Sequence, residues 1–203
     1  MSDSLTLASL PVNLTWKNQP LKSTSDSKLS QISITTGPQT DWFIHPTGES
    51  VKANAPIALF MPPDSTFQLQ AKVTVDFADT YDAGTIFIYG HDTLWAKLCF
   101  EYSPQAQPMV VSVVTREVSD DCNSVPIEER AVYLRLYRQE RVFAFHYSRD
   151  GQYWHFVRHF SLGDLEQVSV GFSAQSPLGE GCNVFFSEIR YILSPLLDLR
   201  SGE

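Results

Sequence analysis

Between Thr66 and Asp76 the chain alternates with a period of two, setting Phe67, Leu69, Ala71, Val73 and Val75 in one row. Nearly every other apolar stretch is equally short, rich in Val, Ile, Phe, Tyr and Trp, and closed by Gly, Pro, Asn or Asp. No segment carries a sustained helical stripe. Such a chain buries its rows by laying sheets face to face, so the pattern specifies an all-β, two-sheet antiparallel sandwich. Strands are expected at 31–36, 57–61, 66–76, 84–90, 93–102, 109–116, 131–137, 141–147, 152–160, 167–174 and 182–191. Two hairpins are expected, one turning near Arg138, Gln139 and Glu140, the other at Asp150-Gly151, giving a nearly continuous meander from 66 to 160. The polar segment 117–130, which contains Pro126, reads as a long surface loop. With 203 residues, 43% of them hydrophobic, the chain can bury the core of one such domain, expected to span 1–203.

Charge narrows the partners. Fifteen Lys and Arg stand against 23 Asp and Glu, a formal net charge of -8, which repels polyanions and argues against nucleic acid. The opening "MSDSLTLASLPVNLTW" lacks a basic region followed by an apolar run, and no later run is long enough to span a membrane, so a soluble, cytoplasmic protein is expected. Cys99, Cys122 and Cys182 form an odd set without C-x-x-C spacing, the pattern of reduced thiols rather than of a disulfide framework or zinc site.

In a sandwich each strand gives one row to the core and one to the outside, so outer rows locate candidate sites. In "DTLWAKLCFEYS" (92–103), Leu94, Ala96, Leu98 and Phe100 form the inner row and leave Trp95, Lys97 and Glu101 outside. Ser112 and Arg116 are expected outward from the next strand, Tyr133, Arg135 and Tyr137 from the one after, and His146 from its neighbour, since three exposed aromatics on the other row would be costly. Aromatic and ionic residues together suit a sugar, whose apolar face stacks on rings while its hydroxyls bond charged groups. Plain cross-strand charge pairing explains the same residues equally well.

The order of motifs adds a resemblance. "TDWFIHP" (40–46), "YDAGTIFIYGHDTLWAKLCFEY" (81–102), "VVTREVSDDCNS" (113–124), "LRLYRQERVFAFHYSRDGQYWHFVR" (134–158) and "VSVGFSAQSPLGEGCNVFFSEI" (168–189) resemble the successive signatures of the domain-of-unknown-function 1349 family, which includes regulation-of-enolase-like proteins. The resemblance covers roughly 12–192 and implies a concanavalin A-like lectin/glucanase jelly roll, without an established activity. The family's polar signatures fall here on Asp41, Trp42, Tyr81, Asp82, Trp95, Lys97, Glu101, Ser119, Asp120, Arg135, Ser148, Asp150, Gly151 and Trp154. Two departures are Ala83, where Gln is common, and Asp121, where Trp commonly follows the Ser-Asp pair and would have offered a stacking surface.

The expected site therefore centres on Trp95, Lys97, Glu101 and Arg135, with Asp41, Trp42, Asp82 and Asp120 at its rim and His146 nearby. Glu101 is the one candidate catalytic residue. A retaining glycosidase needs two carboxyls about 5 to 5.5 Å apart. Glu101 has no carboxylate partner on its own strand, and Lys97 stands about 13 Å away along it, so a partner would come from Asp41, Asp82 or Asp120. No G-x-S-x-G elbow occurs, the five histidines are scattered, and "SDD" with Asn123 lacks the calcium-loop frame, so no metal or cofactor is expected. "YSRDGQYW" is one residue short of an Asp-box, and Ser148, Asp150 and Trp154 are assigned to the hairpin. Three readings follow: a non-catalytic domain binding a carbohydrate or sugar-derived metabolite; an interaction module regulating a metabolic enzyme, as the family's label suggests; and a sugar-active hydrolase or isomerase.

Overall fold

The alternating rows pair into antiparallel ladders. The structure, a computed structural model, describes residues 4–165 and 167–203. In chain order the strands are β1 (Thr15–Lys17), β2 (Lys22–Asp26), β3 (Gln31–Thr35), β4 (Trp42–Ile44), β5 (Val51–Ala53), β6 (Ile57–Phe60), β7 (Thr66–Val75) and β8 (Ala83–His91). They continue with β9 (Leu94–Tyr102), β10 (Pro108–Arg116), β11 (Val118–Pro126), β12 (Ala131–Gln139), β13 (Val142–Ser148), β14 (His155–Ser161), β15 (Ser169–Gln175) and β16 (Asn183–Ile192). Among the described residues every regular element is a strand, and no helix is long and apolar enough to cross a membrane.

Two seven-stranded sheets face each other. The first runs β1-β6-β15-β8-β9-β10-β11 and the second β14-β13-β12-β7-β16-β3-β2, with β4 and β5 forming a separate hairpin. The expected meander from 66 to 160 is therefore divided: β8 to β11 lie in the first sheet and β12 to β14 in the second, while β7 crosses over to pair with β12 and β16. The inner rows behave as the alternation requires. Phe67, Leu69, Ala71, Val73 and Val75 of β7 meet Ala96, Leu98 and Phe100 of β9 in one apolar core.

Local chemistry sets the turns. Gly151 sits at φ 75°, and Asp150 Oδ1 accepts from the amides of Gln152 (2.8 Å) and Tyr153 (2.9 Å) and from Ser148 Oγ (2.9 Å), so Ser148 and Asp150 hold the hairpin as expected. Residues 152–154 belong to this turn, and the strand expected at 152–160 begins at His155.

The segment 117–130 is the main correction. Residues Val118–Pro126 form β11, paired along β10, rather than a loop. An edge strand exposes one flank, and polar side chains there blunt further pairing, so its composition imitates a loop. Register corrects a second expectation. Ser112 and Arg116 stand opposite Leu98 and Leu94, on the core side, while Val111, Val113 and Thr115 share the outer face with Cys99, Lys97 and Trp95.

Candidate functional site

Trp95, Lys97, Cys99 and Glu101 point away from the main core, as their alternation requires. Half of that face is nevertheless dry. The β4–β5 hairpin lies on it, anchored by Trp42, whose Nε1 donates to Ala55 O at 2.9 Å, and by Ile44, whose amide donates to Ser119 Oγ at 2.9 Å. Trp42 meets Phe87, Tyr89 and Trp95 edge-on, with centroids 5.7, 5.9 and 6.0 Å away, and Phe87 stacks on Trp95 at 5.4 Å. With Ala55, Ile57, Leu59 and Val113 these rings make a second small core on the outside of the first sheet. Trp95 and Trp42, expected as stacking surfaces, are 0% and 1% exposed and offer no face to a ligand.

Beyond the hairpin the face opens into a pocket of about 260 Å³. Its polar wall holds Asp41, Lys97, Glu101, Asp121 and Gln175; Phe43, Val111, Val113 and Pro177 make the apolar wall, with Tyr81 at its edge. Lys97 forms the base. It is 2% exposed, and its Nζ donates to Asp41 Oδ1 at 3.0 Å and to Gln175 Oε1 at 2.7 Å. Burial alone disfavours the ammonium, but the charge of Asp41, with lesser contributions from Cys99 and Glu101, outweighs it and raises the lysine above its ordinary value. Asp41 is fixed in turn by the Trp42 amide, which donates to its Oδ1 at 2.7 Å, so the ion pair ties the hairpin to β9.

Glu101 is different. Among the described residues its carboxyl has no hydrogen-bond partner and no ion pair, although it lines the same pocket. Desolvation by the protein crowded around this half-buried side chain pushes its pKa up to about 8; Lys97 pulls the other way, while Asp41 and Asp121 add to the rise. At neutral pH it therefore holds its proton and acts as a donor as well as an acceptor. Tyr81 adds local strain, since a bulky residue at φ 71° occupies a sparsely populated region that clusters at functional sites.

Of the expected site residues, Lys97, Glu101 and Asp41 line the pocket, Trp42 and Trp95 are sealed beside it, and Asp82, Asp120, Arg135 and His146 lie elsewhere. Asp82 is wholly buried as a turn anchor: its Oδ1 accepts from Ser176 Oγ at 2.6 Å, and its Oδ2 from the amides of Ala78 and Asp79 at 2.9 Å. Asp120 is exposed and paired with Arg158 at 3.0 Å, tying the edge of the first sheet to β14. Arg135 and His146 lie on the opposite sheet, on β12 and β13, so they cannot share a pocket with β9. His146 does leave the core side, as expected, but is covered by residues 194–203 rather than by solvent.

Sequence reasoning missed Asp121, Gln175, Phe43, Val111 and Val113. Asp121 stands opposite Val113, itself opposite Lys97, a relation visible only once Val118–Pro126 is read as a strand. Among the described residues no cluster of His, Cys, Asp and Glu gathers in a way that would hold a metal ion.

The two facing seven-stranded sheets define an all-β antiparallel sandwich of concanavalin A-like fold. Residues 16–192 match the family described as "Protein of unknown function (DUF1349)", and the chain belongs to that family. No functionally curated protein matches it in sequence. Among solved structures, a functionally unknown protein from Saccharomyces cerevisiae is 24% identical over 89% of this chain and 96% of its own, with a TM-score of 0.81. The xylan beta-1,4-xylosidase from Bacillus halodurans C-125 is 14% identical over 87% of this chain, with a TM-score of 0.69. This chain spans only 36% of that enzyme. A legume lectin-like domain from Entamoeba histolytica is 12% identical over 88% of this chain and 90% of its own, with a TM-score of 0.57. At these identities the likenesses concern the fold.

Proposed function

We propose that the pocket binds one small uncharged sugar unit or sugar-derived polyol. The observation that carries this reading is the pairing of a locked ion pair, Lys97 with Asp41, and an uncommitted carboxyl, Glu101, beside the apolar wall of Val111, Val113 and Phe43. A carbohydrate presents the matching chemistry, hydroxyls that both donate and accept beside an apolar ring face. Phe43, not Trp95, is the ring available for stacking. At about 260 Å³ the pocket is near the small end of ligand sites, which suits a single unit rather than a long chain. With Glu101 protonated, the two carboxylates of Asp41 and Asp121 still outnumber the one ammonium of Lys97, so sugar phosphates and sugar acids are disfavoured.

The test is thermal-shift and calorimetric titration with a panel of neutral monosaccharides and their phosphates. A neutral sugar at about 100 times its Kd stabilises the native state by about 2.7 kcal/mol. Val113→Phe, which builds a ring into the pocket, is expected to abolish that shift. Phosphates that bind better than the neutral sugars, or neutral sugars that leave both proteins unmoved, would overturn the reading.

A second reading is favoured by one observation. Glu101 carries a proton at neutral pH, as a general acid must, and Asp121 supplies a carboxylate from another strand in the same pocket. Hydrolysis of aryl glycosides that disappears with both Glu101→Gln and Asp121→Asn would support it; a bound sugar recovered intact would reject it.

A further inference from the structure

The opposite sheet carries a second constellation that the pocket does not use. On its outer face β7, β12 and β13 set Gln70, Arg135 and His146 side by side, and Gln68 beside Tyr137 along the same strands. Trp154 closes one end, with the Arg135 guanidinium 3.6 Å from its ring centroid. All six side chains are buried, yet none belongs to an apolar core.

What covers them is the segment 194–203, which follows β16 and joins neither sheet. Three side chains read three of its backbone carbonyls. Gln68 Nε2 donates to Ser194 O at 2.9 Å, His146 Nε2 to Leu199 O at 2.6 Å, and Arg135 Nη1 to Gly202 O at 2.7 Å. Gly202 adopts φ 76°, and a Cβ there would stand 2.8 Å from Trp154 Cβ, so a side chain at this position does not fit.

The seating is incomplete. Gln70 Oε1, Arg135 Nε, Tyr137 Oη and His146 Nδ1 remain buried without a hydrogen-bond partner among the described residues. Buried polar groups are nearly always paired, and although single orphans occur elsewhere, at Ser9, Thr85 and Trp95, four gathered under one strip of chain point to a floor that its present cover satisfies only in part. The cover is only partly anchored by apolar burial: Leu197 is 96% exposed, while Leu196 and Leu199 are half-buried. Burial, with the Arg135 charge alongside, pushes His146 down to about 4, so its ring is neutral and donates through Nε2, leaving Nδ1 as a free acceptor.

We propose that this face is a peptide-binding groove and that the segment 194–203 is its resident, displaceable ligand. The floor defines the ligand class. It is a peptide that closes into a hydrogen-bonded turn over 198–203 and whose carbonyls accept from Gln68, His146 and Arg135, with glycine over Trp154. No carboxylate is among the six floor residues, so the groove makes no demand for a basic side chain.

The experiment uses a fluorescent peptide with the sequence of 194–203, titrated by anisotropy into two full-length chains: the natural one, and one whose residues 194–203 are replaced by Gly and Ser at equal length. A tethered occupant lowers apparent affinity by the fraction of time it is seated, so the replaced chain is expected to bind at least about tenfold more tightly. Arg135→Ala in the replaced chain, and Gly202→Val in the peptide, are each expected to weaken binding at least about tenfold. Equal binding by the two chains would overturn the proposal, as would a folded replaced chain that ignores the peptide. A replaced chain that fails to fold would show that the segment is part of the fold, and overturns it too.

Discussion

Replacing Glu101 with Gln keeps the shape of the side chain and removes its titration, which isolates the pocket's electrostatics in one measurable difference. In the unfolded chain Glu101 titrates near its ordinary 4.5; in the native pocket burial pushes it to about 8. Between those values the native state holds a proton that the unfolded state has released. Unfolding then loses a proton, and stability falls as pH rises. The contribution of the protonated carboxyl is full below about 4.5 and is lost as pH climbs through about 8. At about 1.4 kcal/mol per pH unit, the interval corresponds to an upper bound of about 5 kcal/mol. The pocket opens to water, which screens an ionised Glu101, and about 2 kcal/mol is the expected loss. The assay is urea unfolding of the natural chain and Glu101→Gln at several pH values from 5 to 9. Titrations elsewhere cancel in the difference between the two proteins. That difference should shrink by about 2 kcal/mol across the range, or about 4 to 8 °C in Tm, with m unchanged. A difference that stays flat, or grows with pH, would refute a half-buried, uncommitted carboxyl at this position.

Two further outcomes follow from the packing. Lys97→Met strands the Asp41 carboxylate beneath the hairpin and is expected to cost about 3 to 5 kcal/mol, whereas Lys97→Met with Asp41→Asn recovers part of it, as a double-mutant cycle in urea would read. Gly171→Ala places a Cβ 1.8 Å from the Ala58 carbonyl oxygen on the neighbouring β6, so it must part β15 from β6; a loss above about 3 kcal/mol, or failure to fold, is expected by circular dichroism melting.

The period-two rows of β7, β9, β12 and β13 were legible because burial on one face writes itself directly into the sequence, and the two hairpins because Asp150, Gly151 and the 138–140 turn have definite chemistry. Strand β11 was not, because an edge strand facing solvent has the composition of a loop. The candidate site was half legible for a related reason. Parity identified the outer row of Trp95, Lys97 and Glu101, but not that the hairpin of Trp42 would dry one part of it and leave the other open. Nor does parity say which sheet a strand joins. Arg135 has the right row and the wrong sheet, because the chain crosses between β11 and β12, a fact set by pairing over long sequence distances.

The ammonium at the base of the pocket reaches Asp41, 56 positions earlier in the chain, and Gln175, 78 positions later. Neither contact can form until loops of that length have closed, and non-local closure is the slow, entropically costly part of assembling a β-protein. The pocket is consequently expected to be complete only once those closures have formed. A partly assembled chain carries the strand bearing Lys97 and Glu101 but no pocket, so a probe of the pocket would report completed folding more stringently than secondary structure does.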